Sequence, residues 1–500
     1  MDVVLALIPI LLLIVLMAFV KMPGDKSSVI TLLATALLAV FFFGLSPHDL
    51  AFSFLYGAMK AVTPILIIIL MAIFSYNVLL KTGKLEIIKQ QFFSISQDKG
   101  IQVLLLTWGF GGLLEAMAGF GTAVAIPASI LISLGYKPLF SAVVCLIANS
   151  VATAFGAIGT PIIVLANETG LPVNELSANV VLQLSPLMFI IPFIIVFMAD
   201  RDLKSLPKNV LLSVLVGGIS LASQYLSAKY MGAESPAIIG SILSIIVIIA
   251  FAKIIDRNKD KSGERPKITF GKALNAWSIY LLILFLVIIT SPLFPAVRNA
   301  LNSVCVTAIS FPLAGVKPYV INWLTHAGVL LFVGTLIGGL IQGAAVTTIF
   351  RTLFQTAVQL KKTIVTVICL VGLSTVMDFS GMIGVTATAL ASATGALYPL
   401  FSPLVGGLGT FITGSDTSAN ILFGKMQSVV AGQIGVSPEW LSAANTVGAT
   451  GGKIISPQSI AIATSACNMQ GREGAILKAA IPYALLYVVI CGILIYIFTL

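Results

Sequence analysis

Apolar runs close to 20 residues long recur from one end of this 500-residue chain to the other. That is the length an α-helix needs to cross roughly 30 Å of hydrocarbon at about 1.5 Å per residue. The runs fall at 3–20, 28–46, 53–80, 138–166, 176–199, 208–228, 236–253, 274–296, 326–348, 363–388, 439–469 and 475–499. Two further apolar stretches, 101–134 and 400–432, are interrupted midway by glycines and polar residues. Each has room for two half-helices and a turn and reads as a re-entrant hairpin, although two full crossings apiece would keep the same loop parity. The short strands of alternating polarity that mark a membrane β-barrel are not seen. The pattern predicts an all-α polytopic membrane protein with about 12 transmembrane helices plus two re-entrant hairpins.

Composition sharpens this picture. Hydrophobic residues make up 58% of the chain and charged residues 9%, which excludes an ordinary water-soluble protein. The N-terminal run lacks a basic leader and a small-residue cleavage site, so it reads as a first transmembrane helix. The net charge of +10 is no sign of nucleic-acid binding, because no basic stripe with interleaved aromatics is present. With the N-terminus outside, the predicted cytoplasmic loops hold 22 of the 28 Lys and Arg residues, the bias expected of inner loops. Both termini are then predicted outside, and Lys253–Lys267 is a polar cytoplasmic connector. Five scattered cysteines and two histidines, His48 and His326, suggest neither a disulfide framework nor a metal site.

The polar interruptions repeat. Asn149 is followed twelve residues later by Pro161 in NSVATAFGAIGTP, and Asn445 twelve residues later by Pro457 in NTVGATGGKIISP. Upstream, an acid follows a glycine in each half, Glu115 after Gly109 and Asp416 after Gly409. The copies are separated by an odd number of predicted crossings, which predicts two inverted-topology repeats with a site at their interface. The domains expected are 1–200 (hairpin 101–134, broken helix 138–166), a linking region with the basic loop at 201–272, and 273–500 (hairpin 400–432, broken helix 439–469).

Hairpins and broken helices leave backbone donors and acceptors without helical partners, tolerated at membrane depth only where protein, water or ligand satisfies them. Half-helix N-termini suit a small carboxylate. The glycines of GFGG, AGFGT (with Gly119 and Gly121) and ATGGK permit tight turns or close helix packing. Glu115 and Asp416 are candidate proton-coupling groups, or else members of a static ion pair. Lys453, at the second helix break, could neutralise a substrate carboxylate or pair with either acid. Asn149, Asn445, Thr160, Ser415, Thr417, Ser418, Ser456 and Gln458 offer neutral donors and acceptors to substrate, and any of them could instead cap a half-helix. Asp378 is a weaker candidate, Arg351 reads as a cytoplasmic anchor, and Gln342 is unassigned.

These residues carry a resemblance. Gly111–Ser150, FGAIGTPI, LGTFITGSDTSAN and AANTVGATGGKIISPQSIAIA resemble the bacterial lactate permease family, which includes glycolate-transporting members. The likeness is close over about 100–250 and 400–480 and loose in the first 50 residues and around 254–360. It implies proton-coupled uptake of lactate and related 2-hydroxycarboxylates across the bacterial cytoplasmic membrane. It also implies membership of a wider ion-transporter class whose members are often homodimers with elevator-like motion. By matching position, its motif residues are Glu115, Gly119, Gly121, Asn149, Ser415, Asp416, Thr417, Ser418, Asn445, Lys453, Ser456 and Gln458. Asp378 departs from the family pattern.

The expectation is therefore a secondary active transporter importing lactate or a related small 2-hydroxymonocarboxylate by proton symport, with no cofactor beyond the proton as coupling ion. A sodium-coupled carboxylate transporter or an anion channel is the alternative. A membrane enzyme would need a convergent nucleophile–base or metal set, for which there is no motif.

Overall fold

The computed structural model describes residues 2–93, 96, 98–119, 121–255 and 269–500. Most of the polar connector expected over Lys253–Lys267 lies outside the described residues. Among them, ten helices are long and apolar enough to cross a membrane, or up to eleven when a bent pair counts as one span. In lipid every backbone N–H and C=O must find a partner within the protein, and a helix supplies those partners from its own chain. Leu211, Leu215, Leu485 and Val489 are among many large apolar side chains left exposed on these helices, as hydrocarbon rather than water requires. The chain is a multi-pass membrane protein.

Some expected crossings are shorter or divided. The first is the helix Asp2–Ile14 followed by a π-helical turn, Val15–Phe19. The run at 326–348 becomes a 15-residue helix, Ala327–Ile341, and that at 363–388 ends at Phe379 before a new helix begins at Met382. A run expected to be unbroken, 53–80, divides into Pro47–Lys60 and Ile67–Lys81 around Thr63, which is extended (φ −121°, ψ 119°). Pro64 follows it, and the ring of a proline disfavours helical geometry in the residue before it. An antiparallel two-stranded ribbon, Val306–Ile309 with Tyr319–Asn322, is an addition the apolar pattern gave no sign of.

Over each of the two stretches expected to be hairpins the chain forms a pair of helices. The first runs through Lys99–Met117 and Thr122–Ser133, with a π-helical stretch at Leu105–Gly111. Its turn is set by Gly119 and Gly121, both in the left-handed region (φ 61° and 84°). GFGG lies in the first leg, not at the turn, and there Gly109 and Gly112 admit Ile245 and Ser241 at close range. The second hairpin pairs Tyr398–Thr413 with Asp416–Ile434 around Gly414 and Ser415. The runs at 138–166 and 439–469 are each divided into two helices. Pro138–Thr153 and Gly156–Thr169 meet at 48°, and Pro438–Lys453 is followed by Pro457–Ala466.

The glycines of ATGGK serve packing. Helices Tyr398–Thr413 and Pro438–Lys453 press together along Gly406, Gly407, Gly448 and Gly452, where an added Cβ would overlap the facing backbone carbonyl of Asn445, Pro403 or Gly407 at three of the four positions. Association in lipid relies on such close approach, because hydrocarbon gives apolar side chains no reason to leave it.

The two hairpin-and-break motifs pack against each other at two places. The first hairpin ends at Ser133, beside the start of its broken helix at Pro138. Near that end Ser129 Oγ donates to the carbonyl of Ala466, the last residue of the second broken helix, at 3.5 Å. At the other end, Gly424 of the second hairpin faces Leu165 and Thr169 at the close of the first broken helix. Each broken helix therefore finishes against a leg of the other motif's hairpin, and residues of both turns and both breaks border one space.

Candidate functional site

At that meeting point lies a cavity of about 340 Å³. Gly119 and Gly121 line it from the first hairpin turn, and Gly414, Ser415, Asp416, Thr417 and Ser418 from the second. Gly156, Ala157 and Thr160 come from the first break, and Lys453, Gln458 and Ser459 from the second. Four helices begin at its wall, after Gly121, Gly159, Ser415 and Ser456. Helices also end there, at Met117, Thr153, Thr413 and Lys453, so the cavity is bordered by first-turn N–H groups that can donate to a carboxylate and by last-turn carbonyls that can accept from a hydroxyl.

Local sequence explains why the chain breaks here. Ala157, Ile158 and Gly159 are all left-handed (φ 44°, 56° and 72°). For a β-branched residue this is an outlier of the kind found where surrounding structure holds strain at a working site. Glycine is required at 159, because a Cβ there would overlap the carbonyl of Ala233. Thr160 Oγ1 donates to the Ala157 carbonyl at 2.5 Å, closing the turn. At the second break Ser456 caps its helix, accepting from Ser459 N at 3.2 Å. Ser415 does the same for the second hairpin, accepting from Ser418 N at 3.2 Å.

At the centre of this cavity one ammonium and two carboxyls face one another. Lys453 Nζ lies 3.3 Å from Glu115 Oε1, with Glu115 only 1% exposed. Asp416 Oδ1 accepts from Thr410 Oγ1 at 3.3 Å. The other carboxyl oxygens, Glu115 Oε2 and Asp416 Oδ2, are buried with no hydrogen-bond partner, as is Asn149 Oδ1. Buried polar atoms ordinarily have partners, so three orphaned acceptors around one cavity mark a place built to receive a donor or a proton.

Of the residues singled out from sequence, Glu115, Gly119, Gly121, Asn149, Thr160, Ser415, Asp416, Thr417, Ser418, Lys453 and Gln458 line the cavity. Asn445 and Ser456 do not. Asn445 Nδ2 donates to the Ala419 carbonyl (3.2 Å) and Asn420 Oδ1 (2.9 Å), and its Oδ1 accepts from Gln427 (3.3 Å). Ser456 is held in its cap, donating to Ser459 Oγ at 2.9 Å. Asn149, the counterpart of Asn445 in the repeat, makes only one side-chain bond, donating to Thr153 Oγ1 at 3.2 Å. Asp378 is outside the site, 3.9 Å from Lys425. Gln342 belongs to a separate polar cluster, accepting from Thr82 and donating to the Ala276 carbonyl.

Sequence reading missed Thr153, Thr410 and Ser459, hydroxyls with nothing in the pattern to distinguish them from other membrane threonines and serines. It also missed the mouth. The cavity extends to Gly24, Asp25, Lys362 and Thr363, where Lys362 is exposed. A gap of more than 300 residues separates those two segments, so only folding reveals that they share an opening.

Known proteins place this arrangement in context. The YdaH transporter of Alcanivorax borkumensis shares the fold with a TM-score of 0.54 at 15% identity, over 95% of this chain and 98% of that one. MtrF of Neisseria gonorrhoeae aligns at a TM-score of 0.50 and 12% identity, over 95% of each chain. In sequence, an L-lactate permease of Streptococcus iniae is 44% identical over 88% of this chain and 93% of its own length. The glycolate permease GlcA of Escherichia coli K12 is 34% identical over 98% of this chain and 94% of its own. The family model described as L-lactate permease matches residues 2–500. Hairpin turns, helix breaks and cavity all fall within that match, and the chain belongs to the L-lactate permease family.

Proposed function

We propose that this chain carries lactate, glycolate or a related small 2-hydroxymonocarboxylate across the membrane together with a proton. The observation that carries this reading is the pairing of Lys453 with Glu115 beside an Asp416 oxygen that has no partner, in a cavity where helices of both motifs break. The size of the cavity, about 340 Å³, falls at the small end of the ~300–1,000 Å³ spanned by ligand pockets. The names of the relatives supply the substrate class, lactate for most and glycolate for GlcA.

Charge supplies the coupling. Two carboxylates and one ammonium leave an uncompensated negative charge at membrane depth, and a substrate anion adds another. Isolated charges are costly in a low-dielectric interior. A proton taken with the substrate, on Asp416 or Glu115, lowers that cost for the loaded form. The carboxylate displaces Glu115 from Lys453, and the hydroxyl meets Asn149 Oδ1, whose lone pairs are otherwise unanswered.

Two inverted repeats, 1–200 and 273–500, give alternating access about this cavity. Its mouth lies at Asp25 and Lys362, in the first turns of two helices and within the segments 21–27 and 351–362 that carry Lys21, Lys26, Arg351 and Lys361. The positive-inside rule makes that the cytoplasmic face and puts both termini outside. The conformation described is then inward-open.

The test is uptake of labelled lactate and glycolate by purified protein in liposomes under an imposed inward proton gradient. Accumulation that collapses with the gradient supports the reading. Accumulation indifferent to the proton gradient but driven by sodium overturns the symport assignment, and flux that never saturates with substrate overturns the carrier.

A further inference from the structure

Away from the cavity, a second ion pair is buried among the helices. Lys60 Nζ lies 3.0 Å from Glu168 Oε1, with the side chains 9% and 3% exposed. Ser374 Oγ donates to Glu168 Oε2 at 3.4 Å. Lys60, inside the apolar run 53–80, closes the helix Pro47–Lys60.

Three segments carry both a cavity residue and a member of this cluster. Helix Lys361–Phe379 passes Lys362 at the mouth and Leu370 on the cavity wall before it reaches Ser374. At about 1.5 Å per residue, Ser374 lies roughly 18 Å along the helix from Lys362. Helix Gly156–Thr169 leaves the cavity at Pro161 and arrives at Glu168 roughly 10 Å further on. The third segment breaks at Thr63 just after Lys60, then touches the cavity at Ile69. The pair thus lies beyond the cavity from its mouth.

An aromatic cap covers it. The ring of Tyr56 lies 5.1 Å from Phe311, 6.3 Å from Tyr319 and 6.5 Å from Phe379. The Lys60 ammonium stands 5.6 Å over the same ring. The Tyr319 hydroxyl, from the two-stranded ribbon, donates to the Thr63 carbonyl at the helix break. The ribbon therefore ties the cap to a place where the backbone already departs from helical geometry.

We propose that the Lys60–Glu168 pair, under its Tyr56, Phe311, Tyr319 and Phe379 cap, is the closed gate on the side of the protein opposite the cavity mouth. It parts to admit substrate to the same cavity in the other half of the cycle. The proposal rests on the reading of that cavity as the substrate site. A charge pair suits a gate better than an apolar plug. It holds when dry, because either ion alone would be buried without compensation, and it separates readily once water enters. When open, Lys60 presents an ammonium to an arriving carboxylate.

The experiment places a cysteine on the cavity wall, Leu370→Cys, in the full chain with the exposed Cys305 replaced by serine. A membrane-impermeant maleimide is applied to intact cells and to inverted vesicles, which expose opposite faces; the same chain without Leu370→Cys is the control. With the gate intact, Leu370→Cys reacts from one face only. Lys60→Ala and Glu168→Ala each raise labelling from the other face about tenfold. Labelling from that face unchanged in both variants, or equal from the two faces before either is made, overturns the proposal. Should the single variants fail to fold, Tyr56→Cys with Phe311→Cys joined by a short thiol-specific cross-linker serves instead. Lactate exchange is then expected to stop and to return on reduction, and exchange at the unlinked rate overturns the gate. Absence of lactate transport in the unlinked chain, with labelling still gated as described, would count against the substrate reading and leave the gate standing.

Discussion

Lys453 Nζ sits 3.3 Å from Glu115 Oε1, two side chains 338 residues apart in the chain and contributed by different hairpin-and-break motifs. This contact ties the first hairpin to the second helix break. If Lys453 meets substrate as proposed, recognition and the contact between the two motifs share one lysine.

Replacing that lysine separates its two duties. In Lys453→Met, substrate loses a charge-assisted bond worth about 1.5–3 kcal/mol, a fall in affinity of roughly 10- to 100-fold. Glu115 is also left buried without its cation, which costs about 3–5 kcal/mol of stability. Titration calorimetry for lactate and a thermal melt in detergent check the two losses. An unchanged affinity would remove Lys453 from the binding site.

Asp416 separates carrying from coupling. Asp416→Asn keeps the Thr410 contact open to a neutral group but cannot gain or lose a proton. It is expected to retain lactate–lactate exchange while losing proton-driven accumulation. Accumulation equal to that of the unaltered protein would make Asp416 structural.

The two asparagines of the repeat should behave differently. Asn445 is 0% exposed and bonded to Ala419, Asn420 and Gln427. Asn445→Ala strands those partners and is expected to lower stability by about 1–3 kcal/mol for each group left unsatisfied. Asn149→Ala removes only the bond to Thr153 and an orphaned acceptor, so it should weaken lactate binding with a smaller change in the melt. Equal effects of both variants on the melt and on binding would argue against this asymmetry.

The glycine seam is intolerant of bulk. Gly448→Ala sets a methyl on the Pro403 carbonyl, an overpacking of backbone on backbone with no rotamer to relieve it. A destabilisation at or above the ~1–3 kcal/mol of ordinary overpacking is expected, read as a lower melting temperature or loss of monodisperse protein.

By contrast, Lys425→Ala should change little. Its partner Asp378 is 3.9 Å away, and the side chains are 30% and 42% exposed. Pairs of this kind contribute about 0–1 kcal/mol. Uptake and melting temperature close to those of the unaltered protein are expected; a large loss of uptake would reinstate Asp378 as a functional group.

Much of the site was legible because the chemistry is conspicuous against its background. A carboxyl, a lysine or an asparagine in an apolar run stands out, and the repeated Asn-to-Pro spacing pointed to both helix breaks. Asn445 and Ser456 show the limit. Spacing identified them as equivalent to cavity residues, but it could not say where their hydrogen bonds go. Lys60 shows another. It lies inside the apolar run 53–80, where nothing nearby in sequence names its partner, Glu168, on a different helix.

The sequence by itself determined that the chain crosses the membrane repeatedly, that two polar interruptions recur in the same order, and that Glu115, Asp416 and Lys453 are the charges at those interruptions. Local chemistry is enough for this, because hydrocarbon penalises every polar group and glycine or proline breaks a helix wherever it falls. Tertiary structure alone decided that Lys453 meets Glu115 and leaves an Asp416 oxygen unpartnered, that one asparagine faces the cavity while its counterpart is fully bonded, and that Lys60 reaches Glu168 beyond the cavity. These are contacts between segments far apart in the chain, set by how helices pack, and no periodicity along the sequence encodes them.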